Sequence, residues 1–299
     1  MRKRDISGVL LLDKPPGLSS NAALQKVKFL FQCGKAGHTG TLDPLATGLL
    51  PVCLGEASKF SQSALDSSKS YQAVVKLGET TSTGDCEGEI LSRKGVAVSH
   101  VQVKKAIKGL LGHIEQVPPM YSAIKHRGKP LYVYARQGKQ VQRAPRKVYI
   151  DSLQLDDMTG QEIRLTIHCS KGTYIRVLAQ DLGERLGCGA HLKGLRRTRV
   201  GAFGLNEAHT LQQLEAMNLE QRDACLLPID SLLLTFPKIL VDDADCRNLM
   251  QGKTIAQGDP LSCGTVRIYN MKQRLIGLGE ILPEGKIKPR RIVATNLLQ

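Results

Sequence analysis

A mixed α/β fold in two units, one large and one small, is what the sequence predicts, and three observations carry that expectation. Segments with apolar residues at every second position alternate with segments that repeat them at helical spacing. Clusters of Gly and Pro punctuate the boundaries between them. The 299 residues suffice for one large domain and a small one, each with a buried core.

The first strand is ISGVLLLDKPPG, stopped by Pro15, Pro16 and Gly17. A helix follows, capped by Ser19 or Ser20, with Ala23, Leu24, Val27, Leu30 and Phe31 on one apolar face. Tyr71, Ala73, Val75 and Leu77 then alternate with Gln72, Val74 and Lys76 as a strand. SHVQVKKAIKGLLG reads as a helix with Val103, Ile107, Leu110 and Leu111 inward and Gly112 as its stop. Ile163, Leu165, Ile167 and Cys169 form another strand, and Ser170 to Gly172 turns the chain. Thr173 is the expected N-cap of the next helix, whose stripe is Ile175, Leu178, Ala179, Leu182 and Leu186 before Gly187. LKGLRRTRVGAFGL surrounds a short strand, and HTLQQLEAM is a last helix of the large unit. LLPIDSLLLTFP has the Pro-bounded look of a connection, so the boundary is expected near Phe236, giving units 1–236 and 237–299. The small unit begins with a strand and a helix in FPKILVDDADCRNLMQG, and carries a hairpin about Asn270 to Lys272 and the basic tail GKIKPRR.

The formal net charge of +15 favours polyanionic partners, nucleic acid first among them. No apolar run approaches the roughly 20 residues that span a bilayer, and Val9 to Leu12 is too short for a signal-peptide core, so a cytoplasmic protein is expected. The eight cysteines show no Cys-x-x-Cys pair and no zinc spacing, and read as reduced, packed thiols. From Gln116 to Ile150 there is no Asp or Glu, but eight Lys or Arg and four of the seven tyrosines. Aromatic faces stack on unpaired bases while flexible cations follow phosphates, so this segment reads as an RNA-gripping insertion. Its Lys125, Arg127, Lys129, Arg136, Arg143 and Arg146, with Arg196, Arg197 and Arg199 further on, are the expected phosphate contacts.

GHTGTLDPLATGLLP, residues 37 to 51, sets Asp43 directly before a proline. Asp-Pro is the ideal Ncap and N1 of a short helix, which is the bland explanation. The setting favours chemistry: Gly34, Gly37 and Gly40 allow close approach of a ligand, while Leu42, Leu45, Leu49 and Leu50 anchor the loop beneath. An aspartate of ordinary pKa, about 3.9, is ionised at neutral pH and available as a nucleophile or a stabiliser of positive charge. Arg176 falls in the first turn of a helix, where a cation opposes the helix dipole and needs a nearby anion; phosphate, solvent and Asp43 all qualify. A phosphate-binding loop would need Gly at the position of Phe29 and Ser or Thr at that of Ala36. Neither Gly-x-Gly-x-x-Gly after a strand nor His-x-Glu with Cys-x-x-Cys occurs. What remains is a carboxylate enzyme that uses no nucleotide, metal or other cofactor.

GHTGTLDPLATGLLP resembles the motif of the TruB-type tRNA pseudouridine-55 synthases. LDKPPGLSSN, KSYQ, TSTGDCEG, PPMYSAIKHRGKPLYVYARQG, SKGTYIRVLAQDLG and LRRTRVGAF follow in that family's order, covering most of residues 8 to 205. The resemblance implies the pseudouridine synthase fold, with an extended mixed, mostly antiparallel sheet, and a small PUA-like RNA-binding domain at the C-terminus. It implies that a uridine in the T-loop of tRNA, at position 55, is isomerised to pseudouridine by a monomer that binds the T-arm. It further implies Asp43 as the catalytic aspartate and His38 as the residue that helps expel the target base or takes its place. Tyr71 would stack on that base, Tyr174 and Arg176 would contact substrate and pair with Asp43, and Leu195 would line the pocket. Two alternatives stand beside this reading: a non-catalytic RNA-binding or RNA-folding module, and a synthase that acts on another RNA, for instance a guide-directed one.

Overall fold

A computed structural model describes residues 3–256 and 264–294. Strand β1 (Gly8–Lys14) is apolar on both faces because it is covered on both. Ser19 accepts from the Ala22 N–H and caps α1 (Ser20–Leu30), which buries Ala23, Leu24 and Val27. β2 (Ala36–His38) and β3 (Thr47–Leu54) form an antiparallel pair closed by the loop that carries Asp43. A 3₁₀ turn (Gly55–Phe60) and α2 (Ser61–Asp66) lead to β4 (Lys69–Leu77), whose alternate residues are buried as its period of two requires. β5 (Glu79–Thr81) and β6 (Ile90–Arg93) make a small ribbon. α3 (His100–Lys108) starts in a capping box of Ser99 and Gln102 and stops at Gly109, earlier than the expected Gly112. Leu111 therefore lies outside the helix and is exposed rather than inward.

β7 (Gly112–Gln116) precedes the basic insertion, which holds the two-residue strands β8 (Lys125–His126) and β9 (Lys129–Pro130) and the short helix α4 (Leu131–Ala135). β10 (Arg146–Thr159) and β11 (Glu162–Cys169) form a long hairpin. α5 (Ile175–Arg185) follows, with Tyr174, not Thr173, at its N-cap; the Thr173 hydroxyl donates to the Ser170 carbonyl instead. β12 (Ala190–Val200) is eleven residues long, not a short strand, and is followed by β13 (Phe203–Gly204) and β14 (His209–Thr210). α6 (Leu211–Ala216) is the expected helix, and a further one, α7 (Leu219–Ala224), opens in its own capping box at Asn218. The C-terminal elements are β15 (Lys238–Val241), α8 (Asp243–Met250), β16 (Ile255–Ala256), β17 (Gly264–Asn270), β18 (Leu275–Ile281) and β19 (Lys286–Ile292).

The large sheet runs β14-β1-β3-β12-β4-β11-β10-β7, with β2 on β3 and β13 on β12. Only β1 with β14 and β3 with β12 are parallel, so the sheet is mixed and mostly antiparallel. One face packs α1, α3, α5 and α6 through Leu10, Leu12, Val27, Ile107 and Leu182. The other face packs the 3₁₀ turn and α2 through Val9, Leu11, Leu49 and Phe60, and there Leu278 and Val293 of the C-terminal unit join the same cluster. That unit is a curled, PUA-like sheet in the order β15-β17-β18-β19-β16 around its own core of Val241, Leu249, Val266, Ile268 and Ile287. Its hairpin turns at residues 271–274, one or two positions later than expected, where the Asn270 side chain accepts from the Arg274 N–H.

Among the described cysteines Cys33, Cys53, Cys169 and Cys188 are buried free thiols, whereas Cys86 is exposed rather than packed; Cys263 lies outside the described residues. No helix among the described residues is long and apolar enough to cross a membrane.

Candidate active site

The loop between β2 and β3 is fastened on every side. Ser20 Oγ donates to the Leu42 carbonyl at 2.9 Å and accepts from the Leu42 N–H at 2.7 Å. The Thr39 N–H reaches the Pro51 carbonyl at 3.0 Å. Gly40 has φ +100, a left-handed conformation that a side chain would strain. The Ala46 N–H closes a tight turn on the Asp43 carbonyl at 3.0 Å, with Pro44 supplying its fixed φ. Asp43 thus begins a turn, not a helix, and its carboxylate is free of capping duty. From below, the Gly17 N–H and Lys14 Nζ both point at the Pro44 carbonyl, at 2.8 and 3.4 Å. Lys14 is wholly buried and also donates to the Pro15 and Leu18 carbonyls. Burial pushes its pKa down to about 8, against the attraction of Asp43.

Against this loop, α5 presents Arg176 from its first turn. The guanidinium is buried, with Nη2 at 3.1 Å from Asp43 Oδ2 and Nη1 at 3.5 Å from Asp85 Oδ2. It also donates to the Thr83 carbonyl at 3.2 Å and the Tyr121 carbonyl at 2.6 Å. One cation therefore serves two carboxylates of different character. Asp85 is 4% exposed and is further held by the Thr83 hydroxyl and the Glu87 N–H, whereas Asp43 is 37% exposed. The guanidinium thus ties a buried carboxylate to a partly exposed one. Burial raises the Asp43 pKa above the ordinary carboxylate value, Arg176 opposes that rise, Asp85 adds to it and Lys14 lowers it.

Tyr71 projects from β4 on the face shared with Leu195 and Arg197 of β12, its register partner being Arg197. The ring is 7% exposed, and burial raises its pKa while Arg197, bonded to the phenol, lowers it. His38, at the end of β2 opposite Val52, is half-buried, with Nδ1 enclosed and without a hydrogen-bond partner. Burial, then the charge of Arg197, lower its pKa, so the ring is neutral at physiological pH. Tyr174 is half-buried, with its pKa raised by burial and lowered in part by the adjacent Ser122. Leu195 is half-buried beside Ala73, packs against the first core and accepts from Thr47 Oγ1. Asp43, Arg176 and Tyr174 converge, and Tyr71, Leu195 and His38 share the Arg197 neighbourhood.

Three of the arginines expected on phosphate have protein partners instead. Arg197 is 1% exposed and donates through Nε to the Leu49 carbonyl at 2.7 Å and through Nη2 to the Gly40 carbonyl at 3.1 Å. It is a support beneath the Asp43 loop, not a phosphate contact, because strand alternation turns it inward. Arg196 points to the opposite face and forms a two-pronged pair with Asp13 at 2.7 and 3.2 Å. Arg199 is exposed, as are Lys125, Arg127, Lys129, Arg136 and Arg146. Arg143 is half-buried and braces the insertion by donating to the Pro118 and Val141 carbonyls. Sequence reasoning missed Asp85, Lys14 and Gln116. Asp85 lies in the TSTGDCEG segment and Lys14 in LDKPPG, but their partners are far away in the chain. Among the described residues no three of His, Cys, Asp and Glu gather at metal-ligand range.

Known proteins share this architecture. Residues 28–175 match the TruB family pseudouridylate synthase N-terminal domain, 176–234 the tRNA pseudouridylate synthase B C-terminal domain, and 237–293 the pseudouridine synthase II TruB C-terminal domain. The tRNA pseudouridine synthase B of Nitrosospira multiformis is 52% identical, over 97% of this chain and 96% of its own. That of Methylobacillus flagellatus is 50% identical over the same shares. Among solved structures, one from a Cbf5-Nop10-Gar1 complex superposes with a TM-score of 0.72 and 26% identity, over 96% of this chain and 84% of that one. The fold and the matched domains are those of a pseudouridine synthase. The chain belongs to the TruB family of these enzymes.

Proposed function

We propose that this enzyme converts a uridine of tRNA to pseudouridine, that the target is position 55 in the T-loop, and that Asp43 is the reacting carboxylate. The observation that carries the proposal is the Asp43–Arg176 pair: a partly exposed carboxylate, fixed at 3.1 Å by a buried guanidinium, with Tyr71 near enough to feel its charge. The reaction breaks the bond from C1′ to N1, turns the uracil, and joins C1′ to C5, with the C5 hydrogen released as a proton and N1 taking up a proton in exchange. Its atoms balance without an oxidant, a reductant or a nucleotide. The base must first leave its stack, at a cost of a few kcal/mol that is lowest in a loop and offset by stacking on an aromatic ring. Tyr71 is suited to that stacking. His38, with its pKa lowered by burial and by Arg197, is suited to hydrogen-bonding as a neutral ring where the base leaves. Lys125, Arg127, Lys129, Arg136 and Arg146 would grip the T-arm with the exposed rings of Tyr121, Tyr132 and Tyr149. We assign catalysis to residues 1–236 and added RNA contact to 237–299.

Asp43→Asn keeps the size of the side chain and removes the charge. It is expected to abolish tritium release from tRNA labelled at uracil C5 while tRNA binding persists. Normal release by this variant would refute the role of Asp43.

A further inference from the structure

The first residues of the basic insertion reach the turn that presents Arg176. Gln116 ends β7 and is 2% exposed. Its side-chain amide accepts from the Tyr174 N–H at 3.0 Å and donates to the Tyr174 carbonyl at 3.3 Å. Five residues on, the Tyr121 carbonyl accepts from Arg176 at 2.6 Å, closer than either carboxylate lies to that guanidinium. The neighbouring Ser122 is buried beside Tyr174 and lowers the pKa of its phenol against the rise from burial. The returning strand passes the same point: Arg146 of β10 stands opposite Gln116 in the register.

Tyr174 is the N-cap of α5 and makes no side-chain capping bond. Two bonds from one buried amide to the same residue fix both the position and the twist of the chain there, as a paired strand would. Arg176 lies two residues further along, so the path of this turn sets how its guanidinium meets Asp43.

We propose that Gln116 is a positioning residue for the isomerisation: it locks the Tyr174 backbone, and through it the Arg176–Asp43 pair, to the root of the insertion. The root of the insertion and the alignment of the carboxylate are then held by the same bonds. This rests on the reading of Asp43 as the reacting group. A misplacement of about 1 Å in such a group can cost about 100-fold in rate.

The test uses the full-length chain with Gln116→Met, which keeps the length and loses both bonds, and Gln116→Glu. Single-turnover tritium release is measured across pH, with tRNA affinity and the melting temperature alongside. Gln116→Met should lose roughly 30-fold to 100-fold in rate, with affinity changed no more than about threefold. Its acid limb should move to higher pH, because a loosened Arg176 lowers the Asp43 pKa less. Of the other groups facing Asp43, Asp85, Glu87, Lys14 and the Tyr71 phenol lie off the freed turn, and the Tyr174 phenol, its pKa raised above the ordinary value, is neutral along the acid limb. Glutamic acid at 116, when neutral, accepts and donates as glutamine does, so the rate of Gln116→Glu relative to Gln116→Met should rise as pH falls.

A lower melting temperature with an unchanged rate and acid limb would mark a merely structural amide and overturn the proposal. So would a rate loss matched by an equal loss of affinity. If Gln116→Met does not fold, the rate of Gln116→Glu relative to the unsubstituted enzyme decides: a rise towards low pH supports the proposal and a flat ratio overturns it. Normal turnover by Asp43→Asn would instead remove the reading of Asp43 on which all this stands.

Discussion

Arg196 and Arg197 of β12 and Lys125, Arg127 and Lys129 of the insertion come from equally basic stretches, yet the fold uses them in opposite ways. The insertion is short elements and loops with few apolar anchors, so its cations stay in water with nothing acidic nearby in sequence. β12 lies at the centre of the large sheet, between β3 and β4. There the period of two drives successive side chains to opposite faces, and each arginine meets an acceptor: the Leu49 and Gly40 carbonyls for one, Asp13 for the other. A run of arginines is thus a statement about available charge. Whether that charge faces RNA is decided by the strand neighbours.

The largest effect that separates the two regions is expected at Arg197. Arg197→Met leaves the Leu49 and Gly40 carbonyls and the Tyr71 phenol without their partner, at about 1–3 kcal/mol for each buried group left unsatisfied. The loop holding Asp43 and the ring of Tyr71 lose their common support. Turnover should fall at least about 100-fold and the melting temperature should drop, while the salt dependence of tRNA affinity is unchanged. A variant that melts normally but binds tRNA with a shallower salt slope would return Arg197 to the phosphate-contact class.

The converse holds for Lys125→Ala, Arg127→Ala and Lys129→Ala made together. If all three meet phosphate, the slope of log affinity against log salt should shrink by about two, given roughly 0.7 per single-strand contact. Melting should be unaffected, since these side chains are exposed. Titrating tRNA binding between low and moderate salt checks this. A triple variant with the original slope would place the RNA elsewhere.

The sequence made legible what periodicity and local chemistry encode. The strands at Gly8 and Tyr71, the α1 face and the Ser19 cap all follow from residues close together in the chain. β12 was harder, because Gly194 and three arginines interrupt its apolar alternation and two bulges shift its register. α7 hides in polar NLEQRDA, where only the Asn218–Gln221 capping box marks a start. In the site, the motif around Asp43 was visible, and the first-turn position of Arg176 showed that it needed an anion. Which anion it would meet was not visible, nor that Asp85, Gln116 and Tyr121 would complete its surroundings. Those partners are 55 or more residues away in the chain, and nothing local specifies them.

The smallest expected effect concerns the buried lysines, which extend the contrast from arginine to a cation able to lose its proton. Lys69, at the start of β4, donates to the Leu65 and Ser67 carbonyls, and burial, with Arg197 nearby, lowers its pKa from 10.5 to about 8. Between those two values the unfolded chain holds a proton that the folded chain has released. Stability from this group therefore rises as pH increases from about 8 to 10.5, and below about 8 the buried charge weighs against folding. Lys69→Met should flatten that part of the stability profile, seen as a urea midpoint that gains less than the parent's between pH 7.5 and 10. Lys129→Met in the exposed insertion should leave the profile parallel to the parent's. Equal changes in both variants would mean that the interior of the sheet treats its cations no differently from the surface.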